Sequence, residues 1–265
     1  MDRIAKVFSS GRKALIVYLT AGFPEPGFDE DLALTALDSG ADILELGFPF
    51  SDPVADGPLI QKASEQALQK GMTLGRTMEL AGRIRQKRGA PIFLMGYTNP
   101  VYHMGYGAFA RELARVGGDG AIIPDLPSDA CAPLRDEMRK NGLALIPMAA
   151  PNTPPERLKR IIAGGDGFLY LVSMAGLTGD AIKAEAPWKK VAALAREEKR
   201  LPVCLGFGIR TGEEAADAAR FADGVIVGSA LTARIMEADG PDEAKRQVGA
   251  LVRELAEAIK DHVKR

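Results

Sequence analysis

Cysteine and histidine are scarce in this 265-residue chain, with two of each. Cys131 and Cys204 cannot build a disulfide framework, so a reducing, cytoplasmic setting is expected. His103 and His262 form no H-x-H, HExxH or Cys-rich cluster, and no metal site is expected; His103, in NPVYHMGYG, reads as a loop residue. Net charge is also lacking. The 34 basic and 35 acidic residues leave -1 at pH 7, which gives no overall field for nucleic acid or an anionic membrane. No apolar run approaches the roughly 18 residues of a spanning helix. The opening MDRIAKVF lacks the apolar core of a secretory leader. What remains, 46% hydrophobic and 26% charged, is an ordinary globular composition, long enough for one large domain.

What the chain does have is a rhythm. Eight short apolar runs recur, near 14–20, 42–47, 91–97, 120–125, 143–149, 167–173, 202–207 and 223–228. Most are too short and too continuously apolar to be one-sided antiparallel strands, which suits a parallel sheet covered on both faces. Helix grammar fills the intervals. Thr153, Pro154 and Glu156 predict a capped helix start, and Thr211 with Glu214 repeats the capping box. Val248, Leu251, Val252, Leu255, Ile259 and Val263 form one stripe at helical spacing. Strict alternation, eight times over, predicts an α/β fold: one (β/α)8 barrel across residues 1–265. A helix around Ile4, Val7 and Phe8 is expected to cover one end of it. The long interval from 47 to 91 predicts a loop and two helices after the second run. A doubly wound open sheet, which usually stops near six strands, is the alternative.

In such a barrel the chemistry lies where strands lead into helices. Parity in ILELG puts Ile43, Glu45 and Gly47 on one face and the two leucines on the other. Leucines suit the helix-facing side, so the Glu45 carboxylate points into the barrel. An ion pair is the structural explanation for such a group, yet none of the eight runs contains Lys or Arg. A buried carboxylate without partners has a raised pKa or a chemical task. The following FPFSDPVADGP is a defined, proline-rich loop carrying Asp52 and Asp56. Turn chemistry or capping explains either acid, most readily Asp52 before Pro53. Asp56 lies within reach of Glu45, and two carboxyls in one pocket divide roles when their surroundings separate their pKa values.

The last third carries an anion signal. LGFGIR follows the seventh run with Gly206 and Gly208, and VGSALTARI follows the eighth with Gly228 and Ser229 opening a helix. Loops at these two places form a common phosphate cradle of such barrels. The elaborated loop after the sixth run, SMAGLTGD, has the glycine content of a lid. No lysine stands at a strand end, so Schiff-base chemistry is not indicated. The site is expected to work with carboxylates and backbone donors.

LELGFPFSDPVADGPLIQ strongly resembles the signature of the tryptophan synthase alpha subunit family, and YLTAGFP, YLVSMAGLTG, GFGI and VGSA follow in that family's order. The resemblance spans essentially the whole chain. It implies a cofactor-free lyase converting indole-3-glycerol phosphate to indole and glyceraldehyde 3-phosphate. By position in the motifs, it implies that Glu45 transfers protons, that Asp56 interacts with the indole nitrogen and that Tyr170 supports them. It puts Gly179, Gly208, Gly228 and Ser229 at the phosphate, and Tyr18, Ile60, Met95, Tyr97 and Ile122 around the indole. Tyr18 stands where a Phe is often found. Thr178 matches a lid threonine; the same loop reads SMAG where some members carry Arg and Ser before the glycine. A pyridoxal-phosphate-dependent beta subunit is the implied partner, in an alpha2-beta2 heterotetramer, with Pro49 and Asp52 at the contact. A Tyr on an apolar strand is as often a core residue as a catalytic one. The residues by themselves leave open another phosphate-binding barrel, such as a sugar-phosphate isomerase or epimerase. A catalytically silent activating subunit is the other alternative, and the presence of both carboxylates argues against it.

Overall fold

The computed structural model describes residues 2–9, 11–172, 188–198, 201–206 and 208–260. Its strands are β1 (Ala14–Thr20), β2 (Ile43–Gly47), β3 (Ile92–Met95), β4 (Gly120–Ile122), β5 (Ala144–Leu145), β6 (Met148–Ala149), β7 (Leu169–Val172), β8 (Val203–Gly206) and β9 (Gly224–Val227). All pairings are parallel, in the order β5-β4-β3-β2-β1-β9-β8-β7-β6. The two ends of that order, β5 and β6, are the halves of the fifth apolar run. Pro147 lies between them and has no N–H to give to a ladder. Ile146 N–H still bonds Ala121 O at 2.9 Å on one side, and Tyr170 N–H bonds Pro147 O at 2.9 Å on the other. The sheet therefore closes into the (β/α)8 barrel, with its fifth strand shared between two neighbours.

Strand parity sorts the core into two layers. Ile16, Tyr18, Ile43, Phe93, Met95, Ile122, Ile146, Tyr170, Cys204 and Ile226 fill the barrel interior. Leu15, Val17, Leu44, Leu46, Leu94, Leu169 and Leu205 pack outward against the helices. The short helix α1 (Asp2–Ser9) inserts Ile4 into the interior layer, and Phe8 lies 6.0 Å from Phe168, itself edge-on to Phe93 at 5.6 Å. These rings plug the end of the barrel from which the strands start. Asp119, 3% exposed, ties the plug down: its carboxylate accepts from Arg3 Nε at 2.8 Å, Arg85 Nη2 at 2.7 Å and Ile92 N–H at 2.9 Å. Ligands must enter from the opposite end.

The helices follow the sequence in most places. The interval after β2 holds α2's successors α3 (Pro58–Gln69) and α4 (Leu74–Lys87), where α2 is Phe28–Asp38 between β1 and β2. The Thr211–Glu214 capping box is formed at α10 (Gly212–Ala219). The last helix, α12 (Pro241–Lys260), buries Val248, Leu251, Val252, Leu255 and Ile259; Val263 and His262 fall outside the described residues. Two local expectations are corrected. The helix expected to begin at Pro154 is α8 (Pro155–Gly164), with Pro154 as its N-cap and no side-chain cap, because the Thr153 hydroxyl instead accepts from Ala150 N–H at 2.9 Å. His103 lies not in a loop but on α5 (Thr98–Met104), whose start is followed, after Gly105, by α6 (Tyr106–Arg115). Between β4 and β5 runs α7 (Ala132–Lys140); α9 (Trp188–Glu197) precedes β8, and α11 (Ser229–Glu237) follows β9. No helix among the described residues is long and apolar enough to cross a membrane.

Candidate active site

Glu45 lies in the middle of β2, in register with Tyr18 on β1 and Phe93 on β3. Its side chain points into the barrel, as parity requires, and is 0% exposed. Neither carboxyl oxygen has a hydrogen-bond partner among the described residues. Loss of water with no compensating charge disfavours the anion, and the pKa rises from 4.5 to about 8. At neutral pH this is a carboxylic acid holding its proton.

A second carboxyl lies on the loop after β2. Asp56 is half-buried, and burial raises its pKa from 3.8 to about 6, against a hydrogen bond from Tyr97 that pulls it down. At neutral pH Asp56 is mainly ionised. Tyr97 fixes this loop from β3's end: its hydroxyl accepts from Ala55 N–H at 3.1 Å and bonds the Asp56 carboxyl, while its ring stands 5.7 Å from Phe50. Burial pushes the Tyr97 phenol itself upward, and the Asp56 charge adds to that shift.

Tyr18, Asp56, Ile60, Met95, Tyr170, Ile209, Ile226, Gly208, Gly228 and Ser229 meet around one cavity of about 30 Å³. Two glycines make room for its tyrosines. A Cβ at Gly47 would collide with the Tyr18 ring and hydroxyl, and one at Gly206 would collide with Tyr170. The Tyr18 hydroxyl shares a 3.3 Å hydrogen bond with Thr20. Burial raises the Tyr170 phenol far above its ordinary range, with the nearby Glu45 charge next in size, so Tyr170 remains a neutral donor. Gly208 adopts φ +83°, a left-handed conformation that a side chain would strain. Gly228 is the N-cap of α11 with no side-chain cap, and Ser229 is its first residue. Gly228 and Ser229, at the start of that helix, both line the cavity, and the first-turn N–H groups of a helix have no partner within it.

Most of the expected residues thus converge. Tyr18, Asp56, Ile60, Met95, Tyr170, Gly208, Gly228 and Ser229 line one cavity, and Ile122 belongs to the interior layer. Glu45 and Tyr97, both buried, are not among the lining residues, and Glu45 meets the site through Tyr170, on which its charge acts. Thr178 and Gly179 lie outside the described residues. The expected contact loop divides: Asp52 is exposed, with its carboxylate taking the Ser51 hydroxyl at 2.6 Å, whereas Pro49 is buried and shapes the loop from below. Ile226, Ile209 and Thr20 were not anticipated. Inward parity on β9 signals Ile226; the Thr20 hydroxyl's role depends on where Tyr18 reaches and has no local signature. Among the described residues, no cluster of three or more His, Cys, Asp or Glu is arranged to hold a metal.

A family model described as tryptophan synthase alpha chain matches residues 4–260. The tryptophan synthase alpha chain of Methylococcus capsulatus is 42% identical, covering 98% of this chain and 99% of that one. The alpha chain of Chloroflexus aggregans is 43% identical, over 97% and 98%. Among solved structures, tryptophan synthase subunit alpha from Legionella pneumophila shares 37% identity with a TM-score of 0.88, over 98% of this chain and 99% of that chain. A Mycobacterium tuberculosis tryptophan synthase structure gives 34% identity and a TM-score of 0.88, over 98% and 97%.

Proposed function

The chain belongs to the tryptophan synthase alpha chain family, and from that premise we propose that it is a carbon–carbon lyase. Its substrate is indole-3-glycerol phosphate and its products are indole and D-glyceraldehyde 3-phosphate. The observation that carries this reading is the placement of two unlike carboxyls: Glu45 buried inside the barrel with neither oxygen partnered among the described residues, and Asp56 on the loop after β2, lining the cavity. Burial raises the pKa of the first to about 8 and that of the second to about 6. Cleavage needs an acid and an anion at the same moment, and near pH 7 the pair supplies both.

Glu45 donates its proton to carbon 3 of the indole ring. The ring becomes a cation with its charge at nitrogen, which the Asp56 carboxylate stabilises. Glu45, now a carboxylate, takes the proton from the hydroxyl on the adjoining side-chain carbon. The oxygen's electron pair forms the aldehyde C=O as the carbon–carbon bond breaks, and the bonding pair returns to carbon 3 and quenches the ring cation. Protons and electrons balance, and Glu45 ends in the state in which it began. Tyr170, a neutral donor beside Glu45, supports the acid. Main-chain N–H groups at Gly208, Gly228 and Ser229 hold the phosphate, and Tyr18, Ile60, Met95, Tyr97 and Ile122 enclose the indole. Incubating the protein with indole-3-glycerol phosphate should release indole; no indole with authentic substrate would overturn the assignment.

The same reading extends to a partner. Indole is small and apolar and leaks away unless it is passed on directly, which gives the lyase a physical motive to dock on an indole-consuming beta subunit. Exposed Asp52, on a loop preset by buried Pro49, supports the loop after β2 as the contact. Mixing with a tryptophan synthase beta subunit should raise lyase turnover, and Asp52→Ala should weaken that activation while leaving basal turnover unchanged.

A further inference from the structure

The ring of helices outside the barrel is not evenly closed. Between α7 and α8 runs a cavity of about 710 Å³, whose inner end approaches the barrel mouth at Ala55 and Met148 and whose outer end opens between the two helices. The outer part is floored by Leu145 and Pro147 of the broken fifth strand and walled by Leu126 and Ile161. Three arginines line this trough, Arg135 on α7 and Arg157 and Arg160 on α8, and no acidic side chain lines it among the described residues.

These cations are not explained by the architecture. The helices are clamped to each other lower down by Arg139, which bonds the Asp166 carboxylate through Nε at 2.9 Å and Nη2 at 3.0 Å and also bonds Gly164 O at 2.9 Å. Arg157 and Arg160 have no ion pair among the described residues, although other arginines of the chain, including Arg83, Arg88 and Arg115, are paired within 2.7 Å. The Arg135 Nε is buried and has no hydrogen-bond acceptor among the described residues. Among the described residues its nearest carboxylate, on exposed Asp136, is 4.0 Å away, and its Nη1 reaches the Cys131 sulfur at 3.8 Å. A buried guanidinium N–H without an acceptor carries an uncompensated desolvation cost, which an anion would remove. The volume is that of a small-molecule site, and its apolar walls with a few convergent polar groups have the usual composition of one.

We propose that the trough between α7 and α8 is a second ligand site, separate from the carboxyl pair, for a small amphipathic anion. The apolar or aromatic body lies on Leu145, Pro147 and Ile161, and a carboxylate or phosphate head meets Arg135, Arg157 and Arg160. Guanidinium groups suit either head, since both accept paired N–H bonds. Because the inner end of the trough nears the barrel mouth, its occupant would sit beside the loop that carries Asp56.

Calorimetric titration of the full chain with 4-phenylbutyrate and with phenyl phosphate tests this, using wild type and the Arg157→Ala/Arg160→Ala double variant. Both side chains are exposed on α8, so the variant should fold, as thermal melting would verify. The expected result is saturable binding of at least one probe to wild type, weakened at least about tenfold in the variant, which corresponds to the loss of one charge-assisted hydrogen bond or more. Indole release from saturating indole-3-glycerol phosphate without probe should be unchanged in the variant. The probe that binds more tightly identifies the head group. Absence of binding by both probes at millimolar concentration would overturn the proposal. Equal affinity in the variant would do so too, since it would locate the probe in the barrel mouth. Loss of indole release with intact folding would assign the arginines to the lyase site instead.

Discussion

Replacing Glu45 by Gln keeps the side chain's shape and removes its proton chemistry, and it separates two consequences of the same burial. Turnover should disappear while substrate still binds, because Gln can neither give nor take the proton. Stability should change in a way that depends on pH. The folded chain holds the Glu45 proton up to about pH 8, whereas the unfolded chain releases it near 4.5. Between those values unfolding releases a proton, so this group makes wild-type stability fall as pH rises. The full loss, reached above the folded pKa, amounts to about 5 kcal/mol. Gln has no such term. Its buried amide adds a cost of its own, but one that is constant with pH, so the slope is the diagnostic quantity. Urea unfolding followed by the fluorescence of Trp188, the single and fully buried tryptophan, measures it. The stability of the variant relative to wild type should be level below about pH 4, climb between pH 4.5 and 8, and level off again. Parallel stability curves for the two proteins from pH 5 to 9 would show that Glu45 ionises as freely in the fold as in water, and the acid–base argument would fail with it.

The remaining predictions concern the pH profile and two packing features. Wild-type kcat/KM for indole release should be bell-shaped, rising through a limb near pH 6 as Asp56 ionises and falling through one near pH 8 as Glu45 loses its proton; a profile flat from pH 5 to 9 would refute both roles. Gly47→Ala should lower kcat by roughly 10- to 100-fold with little loss of helical circular dichroism, because the new methyl group displaces Tyr18 from the mouth. Arg85→Ala should lower stability to urea by about 2–3 kcal/mol, since it removes the better buried of Asp119's two cations. Arg3→Ala should cost less, under about 1 kcal/mol, because Arg3 is 43% exposed.

Much of this was written in local pattern. A period of two along the apolar runs separated inward from outward residues, so the direction of Glu45 could be read from ILELG alone, and the absence of Lys and Arg from the runs anticipated its lack of partners. The glycine turns after the last two strands likewise marked the rim of the site. What escaped depends on distant parts of the chain meeting. Nothing near Asp56 shows that Tyr97 will hold it, because the two are joined only when β3 pairs beside β2. Pro147 was visible, but that its strand would be divided between two neighbours follows from closure of the ring. Thr153 had the form of a helix cap and was drawn into a tight turn by a competing N–H three residues earlier. The second helix after β3 was hidden because Gly105 interrupts one apolar pattern into two short elements.

The divided fifth strand makes the hoop mechanically uneven. Neighbouring strands elsewhere share up to five aligned residues, but β5 and β6 each share two with their one partner, so the join near Pro147 is where the circle has least to unzip. Amide protons of Leu145, Ile146 and Tyr170 should accordingly exchange with solvent through a smaller opening than those of β1 and β2. Motion admitting a bulky guest would start on that side, while β1 across the ring and its neighbour β2, which carries the buried acid, keep their five aligned residues.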